Sequence, residues 1–113
     1  MINWTELSSE DDLQKVIQES HSHPVCIFKH STRCGISAMV LHRLEQTESE
    51  MGAKWYLLDL LAFRDVSDAV SSRFGVEHQS PQLLLVSEGD CVSAASHTMI
   101  SANWLADQLT ANH

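Results

Sequence analysis

No stretch of this sequence approaches the roughly 18 consecutive apolar residues that a membrane-spanning helix needs, so nothing in it supports insertion into a membrane. Cations are scarce: seven Lys and Arg stand against fifteen Asp and Glu, a formal net charge of −8. A nucleic-acid surface needs clustered Lys and Arg to meet phosphate, and this balance argues against one. Cysteine is limited to Cys26, Cys34 and Cys91, an odd number, where a secreted disulfide framework prefers an even set. No charged-then-apolar leader precedes Trp4, so the expected setting is cytoplasmic, with the thiols mostly reduced. Internal repeats, low-complexity tracts and Pro/Gly/Ser linkers are also missing, and the 113 residues read as one domain spanning 1–113. A domain of this length hides roughly two-thirds of the surface of its unfolded chain and can fold without disulfide or metal staples.

What the sequence does contain is hydrophobic periodicity. From about Ser9 to Ser20, Leu13, Val16 and Ile17 fall at i, i+3 and i+4, and Ser9 with Asp12 forms a capping-box-like start, which predicts an amphipathic helix. After Pro24, the run Val25-Cys26-Ile27-Phe28 has the continuous apolar character of a strand buried on both faces. Ile36, Val40 and Leu44, widened by Met39 and Leu41, predict a second helix from about Cys34 to about Glu48. Lys54 to Leu60 reads as a strand, and Phe63, Val66, Val70 and Phe74 mark a helix that stops at Gly75. Past Ser80-Pro81, Gln82 to Val86 is a further strand, and Glu88-Gly89-Asp90 turns the chain into Cys91 to Ser96. A last helix, capped by Ser101, buries Trp104, Leu105 and Leu109, while Trp55, Phe63 and Phe74 are assigned to packing.

The expected order is therefore α-β-α-β-α-β-β-α. The strand, helix, strand unit gives a parallel pair, and the short-turned hairpin adds antiparallel strands, so the expected fold is an α/β domain with a four-stranded mixed sheet flanked by helices.

Cys34 is the residue with chemical promise. Phe28-Lys29-His30-Ser31-Thr32-Arg33 carries a buried strand out through a short polar loop and sets Cys34 at the start of a helix. Unpaired helix N–H groups and the positive end of the macrodipole favour a thiolate, and Arg33 adds a cation, so the thiol is expected to ionise below the free value of roughly 8.5 and to be nucleophilic.

A strand, a loop, Cys-x-x-Ser at a helix start and a later Ser-Pro before an antiparallel hairpin together resemble a thioredoxin-fold oxidoreductase. The resemblance sharpens over nearly the whole chain. Phe28-Lys29-His30-Ser31-Thr32, Cys34, Ile36-Ser37, Tyr56-Leu57-Leu58-Asp59-Leu60, Phe74-Gly75-Val76, His78, Ser80-Pro81-Gln82 and Ala95-Ser96-His97 resemble the YtxJ family, also called bacilliredoxin C. Members are monothiol proteins of the thioredoxin superfamily linked to bacillithiol, a low-molecular-weight thiol that some bacteria use in place of glutathione. The resemblance implies a thiol–disulfide oxidoreductase in which Cys34 takes bacillithiol from S-thiolated client proteins. It implies no resident cofactor, bacillithiol being a substrate, and partners that are the small thiol and the clients. Ser37 stands where a two-cysteine redoxin has its resolving cysteine, so Cys34 must be reset by a thiol from outside.

The resemblance also puts Arg33, Gly35, Ile36, Ser80 and Pro81 around the substrate. If Pro81 follows a cis peptide bond, as the fold implies, the Ser80 backbone is free to pair with an extended chain; a trans proline that merely opens a strand is the alternative. Gly35 replaces a proline common in that family, so Cys-Gly-Ile-Ser also resembles the Cys-Gly-Phe-Ser of monothiol glutaredoxins, which carry iron–sulfur clusters. The Gly-Gly pair those proteins use for glutathione occurs nowhere here. A redox-inactive thioredoxin-like binding module is a further alternative.

Topology brings His30, His78 and His97 toward the Cys34 pole. Each can support the thiolate or move a proton, or simply satisfy loop backbone. With Cys34 they also have the composition of a zinc site, but the spacing matches no metal motif, and no metal is expected. Cys26 is read as core, and Cys91 as sitting at the opposite pole, too far from Cys34 for a disulfide.

Overall fold

The computed structural model describes residues 2–47 and 49–111. In chain order the elements are β1 (Trp4–Glu6), α1 (Glu10–Glu19), β2 (Val25–His30), α2 (Gly35–Glu45), β3 (Lys54–Asp59), α3 (Arg64–Phe74), β4 (Gln82–Ser87), β5 (Asp90–Ser96), a 3₁₀ turn (His97–Met99) and α4 (Ala102–Ala111). The sheet has the order β1-β3-β2-β4-β5. β2 runs parallel to β3 and antiparallel to β4, so it is the middle strand, with hydrogen-bonded neighbours on both sides.

Two expectations need correction. The sheet has five strands and not four, and the order opens with a strand, because Trp4–Glu6 pairs in parallel with Trp55–Leu57. Three residues are too few to show alternation, and only the partner strand makes them β. The second helix ends at Glu45, with Gln46 as its C-cap, short of Glu48, which lies outside the described residues.

The strand period of two divides the side chains between two cores. Cys26, Phe28, Trp55, Leu83 and Leu85 point to one face and pack with Val40 and Leu44 of α2 and with Leu105 and Leu109 of α4. Val25, Ile27, Tyr56, Leu58, Leu84 and Val86 point to the other and pack with Leu13 and Val16 of α1 and with Val66 and Val70 of α3. Trp55 is fully buried, whereas Phe63, Phe74 and Trp104 are partly buried against these clusters.

Local signals set the joints. Ser9 Oγ accepts from Asp12 N (3.1 Å), while the Asp12 carboxylate accepts from the backbone and hydroxyl of Ser8, one residue further back than a reciprocal capping box requires. Gly75, at φ +64°, ends α3 in the left-handed region that a Cβ disfavours. Glu88 and Gly89 both have positive φ, as a two-residue hairpin turn demands. Ser101 Oγ accepts from Trp104 N at 3.0 Å and caps α4.

Candidate active site

β2 is longer than its apolar run, continuing through Lys29 to His30 before the chain leaves the sheet. Ser31 to Arg33 then bend into α2, with the Cys34 N–H donating to Ser31 O (3.2 Å) and the Cys34 carbonyl accepting from Ala38 N (3.0 Å). Cys34 is the N-cap residue of α2, in an extended conformation, and its side chain makes no cap hydrogen bond. The half-buried residue thus opens the helix, at the end that carries its unpaired amides. The first turn contains no acidic residue to compete with an anion. Arg33 and Gly35 flank it on the surface, and Ile36 is 45% exposed.

Ser37, one turn into α2, is fully buried. Its hydroxyl oxygen accepts from Ser31 N (3.0 Å) and lies 2.7 Å from His30 Nδ1. The Ser37 hydroxyl has one donor and two acceptor sites, enough to serve the Ser31 amide and the His30 ring together. Ser37 therefore ties helix, loop and strand end together. His30 stacks on Phe28 with ring centroids 6.0 Å apart. Burial weakens its hold on a proton, partly offset by Asp59 and Glu45.

The three histidines take separate partners. His30 bonds to Ser37 on the α2 side of the sheet, while the His78 ring comes within 3.4 Å of Lys29 Nζ, a group that also contacts α3. The His97 backbone N–H donates to Pro81 O at 3.1 Å. No group of three or more His, Cys, Asp or Glu converges to hold a metal among the described residues.

The Ser80–Pro81 peptide is cis, and Pro81 is buried. The next residue, Gln82, pairs with Lys29 on one side and Ser96 on the other, so the 80–82 segment shares the end of the sheet from which β2 leaves toward Cys34. The buried Ser80 Oγ has no hydrogen-bond partner among the described residues.

The other cysteines stay apart from this pole, and all three are free. Cys26 lies in the core, where burial pushes its thiol far up. Cys91 pairs with Val86 near the hairpin turn, with its thiol also raised by burial.

Two residues escaped the sequence reading. Lys29, given no role beyond carrying the strand toward the loop, is completely buried in β2, and Gln82 is buried beside it in β4. A signal was present: Val25, Ile27 and Lys29 share a strand face by period two, so a lysine there follows two buried positions.

Comparison with known proteins agrees with this geometry. A solved structure described as a thioredoxin-fold protein assigned to the oxidoreductases is 32% identical, covering 92% of this chain and 91% of that one with a TM-score of 0.82. The thioredoxin of Malassezia sympodialis (17% identity, 98% and 91% coverage, TM-score 0.76) and that of Fasciola hepatica (16%, 96% and 98%, TM-score 0.76) share the fold. Residues 5–105 match the family described as monothiol bacilliredoxin BrxC. With a cysteine at the helix start, a serine one turn on and a thioredoxin-like α/β sheet beneath, this chain belongs to the monothiol bacilliredoxin family.

Proposed function

We propose that the protein is a monothiol exchanger that removes bacillithiol from S-thiolated client proteins through Cys34. The observation that carries this reading is the N-cap position of Cys34, with its side chain uncommitted and no acidic residue in the first turn. Unpaired amides open that helix, and Arg33 is the adjacent cation. The thiolate attacks the bacillithiol sulfur of the client's mixed disulfide. A Cys34–bacillithiol disulfide forms as the old S–S bond breaks, and the client leaves as a thiolate that takes a proton from water. Nothing is oxidised or reduced overall; one disulfide replaces another.

Ser37 cannot resolve this adduct, so a second thiol from solution attacks it and restores Cys34. The client chain docks along the Ser80 backbone beside Pro81, with Gly35 and Ile36 forming the other wall. Arg33 meets a carboxylate of the bacillithiol malate group. His30, bonded to Ser37 in the first turn of α2, is the proton-handling group on the thiol's side, and His78 and His97 flank the docking segment. In this reading bacillithiol is substrate and not cofactor, and the protein works in the cytoplasm.

The decisive variant is Cys34→Ser. It is expected to melt within about 3 °C of the parent, since a partly exposed isosteric change is close to neutral, and to release no bacillithiol from a bacillithiolated peptide. Retained release assigns the chemistry elsewhere. Iodoacetamide should also label Cys34 in the folded protein; absence of labelling removes the accessible thiol.

A further inference from the structure

The exchange step makes no use of Lys29, yet this lysine lies with no exposure in the middle strand of the sheet. Its ammonium donates to Ser67 O (3.0 Å) and Ser71 Oγ (2.9 Å) of α3 and lies 3.4 Å from His78 Nδ1. Burying a cation is unfavourable, and an apolar side chain of similar shape would commonly hold the strand as well or better. Stability therefore does not explain the lysine. Its cross-strand neighbour Gln82, on the same face, donates from Nε2 to Glu77 O at 3.0 Å. Two adjacent buried polar side chains thus reach out of the sheet to consecutive residues, 77 and 78, of the segment that leads to Ser80 and Pro81.

We propose that Lys29 is a positioning residue for client docking: it holds α3 and His78 together and so fixes the course of the 77–81 segment beside Cys34. This rests on the exchange reading for its consequence, though not for its geometry. The charged groups acting here are Asp68 and Arg64 of α3 and His78 itself. Asp68 favours the ammonium, whereas burial opposes it and brings Lys29 down to about 8. Deprotonation removes the charge and one N–H donor from the group that bonds to Ser67 O and Ser71 Oγ, so the hold slackens above that pH.

The test compares the parent with Lys29→Met, using a short peptide in mixed disulfide with bacillithiol. The expected result is KM raised about fivefold with kcat within about twofold, a split that marks lost binding and not lost chemistry. The parent KM should climb between about pH 7 and pH 9, while the variant's stays high and flat across that range. Amide exchange at Gln79 and Ser80 should quicken about tenfold in the variant. An unchanged KM, or equal falls in kcat and kcat/KM with KM constant, overturns the role. If Lys29→Met does not fold, His78→Ala, a change at an exposed residue, must raise KM in the same direction or the proposal falls. Should the parent fail to turn over the peptide, the exchange reading is lost, and the amide exchange alone still judges Lys29.

Discussion

Lys29, His30 and His78, near the Cys34 pole, and Tyr56 make folding depend on pH, and their signs can be worked out singly. Lys29 titrates at about 8 in the fold and at 10.5 when unfolded, so between these values the unfolded chain holds more protons and stability rises with pH. Tyr56, pushed up by burial and Glu19, acts oppositely above about pH 10. The Cys26 and Cys91 thiols, raised by burial, also lower stability from about pH 9, so Lys29 shows in a difference. The parent's melting temperature should gain on that of Lys29→Met from about pH 8 to pH 10, and calorimetry of both across that range checks it. His30 and His78 are both held below the usual 6.5, chiefly by burial. Below that pH the unfolded chain binds the extra protons, and stability falls as the solution is acidified. Alkylation of the native protein with peptide mapping should label Cys34 first and Cys26 only after unfolding, since Cys26 has no exposure. Of the candidate site, Cys34, Ser37 and Ser80-Pro81 were legible because each stands in a short motif. Lys29 was not, because a single lysine late in a strand carries no motif, and the pairing of β2 with β3 and β4 is what puts it inside.

Among the elements, caps and packing separate cleanly by magnitude. Ser9→Ala removes the α1 cap bond to Asp12 N and should destabilise by about 1 kcal/mol in urea unfolding. Leu44→Ala in α2, where the side chain has no exposure, should lose about 3 kcal/mol through transfer and cavity effects. If Leu44→Ala also lowers thiol reactivity in the folded protein, α2 has shifted and its N-terminus with it. The helices were readable because periodic apolar residues and their stop signals, Gly75 above all, are local. β1 was unreadable because three residues become a strand only through the bonds that β3 offers.

For the whole molecule, position in the sheet should govern local opening. β2 has partners on both sides and cores on both faces, whereas β1 and β5 form the edges. Amides of Ile27 and Phe28 should exchange only with global unfolding, while those of Glu6 and Ala94 should exchange faster through local opening; hydrogen exchange by NMR checks the ranking. Equal protection of edge and centre would contradict this topology. From its sequence alone the protein determined its α/β class, the sites of its long helices and the cysteine set at a helix start, because periodicity, caps and turn residues act within a few positions. Tertiary structure alone decided the fifth strand, the buried lysine and the separate partner of each histidine. Those depend on which face of the sheet a side chain takes and which strand lies beside it, and both are settled by contacts between residues far apart along the chain.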